Sequence, residues 1–420
     1  MMVSIILLVI FVWVKLNSTE DLAVSNKTRQ TSSLVAAADL KTLVGDNNSF
    51  ASDLYQTLTK KTQANLIFSP LSISQVLAMT YAGAYGTTSS QIAKVLHFTL
   101  PAERLHPAFN ALDLSLQKPA PADNPDEFQL NIANSLWGQK GFPYLSGYLD
   151  LLAENYGAGV YLTDYSAAPE TSRQAINQWV SRKTNNKINE LLAPGTITPD
   201  TNLTLVNAIY FLGKWDNQFD PDQTHGAGFN LLDGTKTTVS MMFFPSPRGL
   251  LYYKGPNYQA VELAYKGDQV AMTLIVPDTG HFSDVQKSIS AKMLDDNWSK
   301  LAYQDVDFAM PRYKFETRLG LGGILASMGM PNAMDNKTAD FSGMDGRRDL
   351  YIGEVIQKAL IAVDEDGTEA AASTVVILPG AGANEPDLEV HLTIDRPFIF
   401  VIHDWRTHSI LFIGQVVDPR

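Results

Sequence analysis

The 420-residue chain has no cysteine. That excludes disulfides, cysteine nucleophiles and thiolate metal sites, but it does not identify a compartment. It also lacks an excess of positive charge. The formal net charge is −12, with acidic residues scattered rather than blocked, which disfavours nucleic acid or an anionic membrane surface as the main partner. Recognisable catalytic motifs are missing too. The seven histidines never fall at an H-E-x-x-H spacing, and no G-x-S-x-G elbow, P-loop or dinucleotide fingerprint occurs. Gly320, Gly322 and Gly323 read as a flexible helix start. Nothing positive supports catalysis, and no cofactor or metal is expected. A hydrolase with an unrecognised site is the weaker alternative. Long apolar runs are scarce: Val3–Val14 is the main one, and it is too short to span a bilayer comfortably. We therefore expect residues 1–18 to be a signal peptide, residues 19–45 a flexible N-terminal extension, and no stable membrane span. The protein is then expected to be secreted and extracellular, or periplasmic if bacterial. Asn17, Asn26, Asn47, Asn202, Asn297 and Asn336 head glycosylation triplets, which are compatible with export without establishing it.

What is present is hydrophobic content of 45%, enough for a large core. Apolar positions at helical spacing predict helices over 48–61, with Asn48 as a cap, and over 71–81, opened by Ser69-Pro70. They also predict helices at 103–116 and 171–184. Strand patterns cover 128–137, 203–212 and 352–363. Asn134 and Asn207 are amides inside apolar strands, where the ordinary reading is a satisfied buried amide. No linker or repeat divides 46–420, so a single α+β domain is expected.

One stretch stands apart. Glu365–Ala381, EDGTEAAASTVVILPGA, lies between two strand-like runs. Gly367 offers a pivot. One parity, Thr368, Ala370, Ala372, Thr374, Val376 and Leu378, carries no charge and could lie under a packed layer. The other includes Glu369 and Ala371. Pro379, Gly380, Gly382 and Pro386 then break regular structure. A connection of roughly 25 residues inside a compact domain is more often functional or disordered than a mere link. An ordinary exposed hairpin is the plain alternative.

VDEDGTEAAAST at 363–374 resembles the reactive-loop hinge of the serpins, the serine protease inhibitor family. Three further stretches resemble family signatures: 65–92 (NLIFSPLSISQVLAMTYAGAYGTTSSQI), 204–220 (TLVNAIYFLGKWDNQFD) and 395–419 (DRPFIFVIHDWRTHSILFIGQVVDP). They stand in family order and span nearly the whole chain. The resemblance implies a large central mixed β-sheet, additional sheets, about nine helices and an exposed reactive-centre loop at about 365–394. It implies a monomer that inhibits a serine protease as a suicide substrate, through a covalent acyl-enzyme and insertion of the cut loop into the sheet. Glu365, Gly367, Thr368, Glu369, Ala370, Ala371 and Ala372 would form the hinge. Ser69, Ser72, Asn134 and Asn207 would form the shutter where the sheet opens, with Gln357 where many serpins carry histidine. Trp215 would sit at the breach where the loop first enters. The scissile bond would be Ala381–Gly382, with Gly380–Ala381 as the alternative. No Lys or Arg occurs from 359 to 395, so elastase-like or subtilisin-like targets are favoured over trypsin-like ones. A non-inhibitory binding or carrier serpin, and cross-class inhibition of cysteine proteases, stay open.

Overall fold

The computed structural model describes residues 21–31, 35–116, 129–267, 269–368 and 390–420. Among these, two sheets and ten α-helices make one α+β body. The central sheet has seven strands. In spatial order they are Leu22–Ala23, Val160–Thr163, Gln129–Gln139, Leu203–Lys214, the two-residue Gly367–Thr368, Ile352–Val363 and Tyr313–Gly320. The other strands form one ten-stranded sheet, nine along a single path that includes the C-terminal pair Phe398–Asp404 and Ile410–Val416, with Val390–Thr393 off it beside Ala302–Pro311.

Leu203–Lys214 explains why the sequence reads as it does. Both of its faces are covered, so it is an almost unbroken apolar run rather than an alternating one. Leu205, Ile209 and Phe211 join the main core. Val206 and Ala208 instead pack with Ile176, Trp179 and Val180 of the helix Pro169–Lys183. That helix covers one face of the sheet. Its amphipathic pattern follows, with the apolar stripe facing the strands.

The N-terminal region differs from expectation. The first long helix is Ala37–Thr59, not 48–61. Asn48 is not its cap but a buried residue inside it. Its side chain donates to His408 O at 2.8 Å and accepts from Ile410 N at 3.0 Å. The polar residues before it hid the helical pattern. Nor is the whole of 19–45 loose, because Leu22–Ala23 adds to the edge of the central sheet. The helix Ser146–Tyr156 escaped sequence analysis. Asn47 and Asn297 are each 1% exposed and cannot accept a glycan in the folded chain.

The second sheet is tight at Gly414. A Cβ there would lie 2.1 Å from Leu66 O and 2.5 Å from the Phe400 ring. The backbone has nowhere to move without breaking the ladder between Ile413–Gln415 and Leu66–Phe68. Gly414→Ala is therefore expected to destabilise the protein by about 2 kcal/mol or more, read as a lower urea midpoint against wild type.

Candidate functional site: the seam of the central sheet

Leu203–Lys214 and Ile352–Val363 run parallel and pair from Leu203/Ile352 to Tyr210/Leu360. Beyond that point they part, and Gly367–Thr368 lies between them. Thr368 pairs with both Val363 and Gly213, antiparallel to each. The geometry follows from the direction of the strands. A segment that turns back after Val363 is antiparallel to its own strand, and so to that strand's parallel neighbour as well.

The turn is held firmly. Asp364 Oδ1 accepts from the amides of Asp366 and Gly367. The Trp215 amide donates to Asp366 O at 2.9 Å, and the Trp215 ring nitrogen donates to Asp364 O at 3.0 Å. That indole is 1% exposed and stacks on Tyr265, ring centroids 4.4 Å apart. The Tyr265 hydroxyl meets Thr368 Oγ1 at 2.7 Å. Trp215 is thus both core packing and a clamp on the turn. Gly367 is required by close approach. A Cβ there would lie 2.0 Å from Gly213 O, so no side chain fits in the wedge.

Glu365 is buried, not displayed. Thr224 Oγ1 donates to its carboxylate at 2.6 Å, and the Arg312 guanidinium donates to the other oxygen. Burial raises the carboxyl pKa, but hydrogen bonds from Thr224, its own backbone and Arg312, with the Arg312 charge, outweigh it and leave the group below its ordinary range. Burial pushes the neighbouring Asp364 the other way, upward, aided by the charges of Asp366 and Glu365. Arg312, Thr224 and Tyr265 were not found from the sequence, since each meets its partner from more than 50 residues away and no local pattern marks it.

Lower in the seam, Asn134, Asn207 and Gln357 lie side by side on three adjacent strands. Gln357, fully buried, donates to Asn207 Oδ1 at 2.6 Å and to Ser69 O at 3.0 Å, while its oxygen accepts from Ser69 N at 3.0 Å. Asn207 donates to Ser72 Oγ and Asn134 Oδ1. Asn134 donates to Gln75 Oε1 at 3.0 Å, a member of the cluster that sequence analysis missed. Ser69 also caps the helix Pro70–Tyr81, its hydroxyl accepting from Ser72 N. Hence Ser69, Ser72, Asn134, Asn207 and Gln357 form one connected network. Its Gln357–Asn207 bond crosses the parallel seam, and its two serines belong to the start of a helix beneath.

Glu369, Ala370, Ala371, Ala372, Gly380, Ala381 and Gly382 lie outside the described residues. Val390–Thr393, expected within the loop, is a strand that pairs with Ala302–Pro311 of the second sheet. The stretch therefore leaves one sheet and enters the other.

A family model described as serpin (serine protease inhibitor) matches residues 45–419. The chain is a serpin. It is 34% identical to mouse leukocyte elastase inhibitor A, covering 90% of this chain and 100% of that protein. It is 36% identical to serpin B6 of Macaca fascicularis, covering 89% and 98%. Human thyroxine-binding globulin complexed with its hormone superposes with a TM-score of 0.81 at 30% identity, over 91% of this serpin and 99% of that chain. The thermophilic serpin tengpin in its native state gives 0.81 at 26% identity, over 95% and 100%. The family is one of protease inhibitors. Leukocyte elastase inhibitor and serpin B6 are intracellular serpins, which overturns the expectation of a signal peptide and secretion. No helix among the described residues is long and apolar enough to cross a membrane.

Two outcomes test the site. Gln357→Leu strands Asn207 Oδ1 and the Ser69 amide in a dry interior, so it should lower unfolding free energy by about 2–4 kcal/mol in urea titration. Glu365 has a folded-state pKa below its unfolded value. Its contribution is therefore present above the unfolded carboxylate pKa and is lost as pH falls through the folded one. The stability gap between wild type and Glu365→Gln, measured by denaturation, should be open at pH 7 and close towards pH 3.

Proposed function

We propose that this serpin is a suicide-substrate inhibitor of elastase-like or subtilisin-like serine proteases, acting as a monomer and an inhibitor rather than a catalyst. Serpin loop insertion is a known case of strand addition and of release from a strained state. The protease serine attacks the Ala381 carbonyl. The bond to Gly382 breaks, the new amine leaves with its proton, and Ala381 stays as an ester on the enzyme. Residues after Thr368 then enter the seam as a strand and carry the enzyme with them. Roughly a dozen residues at about 3.3 Å each amount to about 40 Å of travel.

The observation that carries this reading is the wedge at Gly367–Thr368. Its two residues already have both of the neighbours an inserted strand would have. Thr368 is fully buried against Tyr265, so by alternation Ala370 and Ala372 would face the same core. Small, uncharged residues suit that side, because a buried charge is expensive. Small Ala381 at the scissile position, with no cation nearby in sequence, supports the protease class.

Incubation with elastase and subtilisin should give complexes that survive boiling in SDS. Clean cleavage with no complex from any protease would favour a carrier serpin instead. Thr368→Arg should turn inhibitor into substrate, with cleavage retained and the trapped fraction falling about tenfold or more. Undiminished trapping would refute the hinge assignment.

A further inference from the structure

The N-terminal arm, residues 21–31, lies outside the family match at 45–419, yet it is tied to the body at every stage. Leu22 and Ala23 pair antiparallel with Tyr161 and Val160, and the Leu162 amide donates to Asp21 O at 2.8 Å. Without them, Val160–Thr163 would be the open edge of the central sheet. The arm then crosses the helix Ser146–Tyr156. Ser25 donates to Asp150, Lys27 pairs with Glu154, and the Gln30 amide donates to Glu154 O at 2.9 Å. It ends on the helix Ala102–Leu116. There Arg29 donates to Asn110 Oδ1 at 2.8 Å and pairs with Asp113, and Asn110 donates to Gln30 O at 2.7 Å.

The body is shaped to take it. Gly159 does not have positive φ, so conformational freedom does not explain the glycine. A Cβ there would lie 2.5 Å from Ala23 O and 2.9 Å from Val24 Cγ1, and the three nearest atoms all belong to the arm. Gly157 is different: its φ of 61° makes it the left-handed cap of Ser146–Tyr156, and the Arg29 side chain lies beside it. Between the arm, the sheet edge and the helix Pro169–Lys183 is a cavity of about 510 Å³, lined by Arg29 and Trp179 and reaching Asn134 of the seam network.

We propose that residues 21–31 are a strap that slows opening of the central sheet. The inference rests on the seam between Leu203–Lys214 and Ile352–Val363 being the line of loop insertion. Parting that seam requires the strands on its far side, 203–214, 129–139 and 160–163, to shift as a group. The strap joins the outermost of them to the helix Ala102–Leu116, which packs against the long helix Ala37–Thr59. A shift of the group must therefore break the edge pairing or the Arg29 anchor. An edge cover alone would protect against strand addition but leave the seam unaffected.

The test uses the full chain with Gly159→Val, whose Cβ would meet the strap first, and Arg29→Glu, which sets two like charges face to face. Amide exchange at 160–163 reads docking, and exchange at 207–210 and 357–360 reads the seam. Both variants should raise exchange at both places by about tenfold or more, and lose inhibitory activity on warming faster by a similar factor. Unchanged exchange at 160–163 in both variants would mean the arm is not docked there. Faster exchange at 160–163 with an unchanged seam would reduce the arm to an edge cover. Either result overturns the strap. A wild type that forms no complex with any protease, while seam exchange still accelerates in the variants, would leave the strap standing and sink the proposed function.

Discussion

Two parallel strands side by side in the middle of the sheet are the constraint on which the rest depends. Parallel pairing is slightly less stable per residue than antiparallel pairing. A strand that enters between Leu203–Lys214 and Ile352–Val363 replaces one parallel ladder with two antiparallel ones. Each residue that enters adds backbone hydrogen bonds and buries a side chain. The chain thus contains a place where adding its own segment would lower its free energy, and Gly367–Thr368 already occupies the first rung.

What holds the seam closed is local and polar. At the top, Trp215 holds two carbonyls of the turn, and Glu365 is locked between Thr224 and Arg312. Lower down, the Gln357–Asn207 bond joins the two strands that would have to part. Such contacts suit a restraint better than an apolar seal does. A hydrogen-bond network is lost in a few discrete steps, and its donors and acceptors can be satisfied again by an arriving backbone. Glutamine also makes this restraint indifferent to pH near neutrality, because it has no proton to gain or lose there.

Much of this was legible in the sequence, for identifiable reasons. The Ile352–Val363 strand was read with its observed ends, and Ser69 caps its helix as expected, because both signals are local. The resemblance named Ser69, Ser72, Asn134, Asn207 and Gln357 together, and hydrogen bonds join them in one network, although an amide inside an apolar strand says only that it has some partner. Gln75, Thr224, Tyr265 and Arg312 carried no such mark. Their meaning lies in contacts between distant segments. The start of the long helix was missed because Ala37–Asp46 is too mixed in polarity for periodicity to show. The N-terminal arm was misread for a related reason. Polar, charged residues suggest a solvated tail, yet here the same Ser25, Lys27 and Arg29 find partners on two helices.

That arm changes how the restraint is distributed. The turn and the network act at the seam itself, and the loop must break them to enter. The strap acts on the opposite border of those strands. A sheet held only at the seam would open as soon as the loop displaced those bonds. A sheet held at its border too must also slide a packed group of strands against fixed helices. The glycine at 159 gives this second hold its physical basis, because it leaves room for the Ala23 backbone where a side chain would push the arm away.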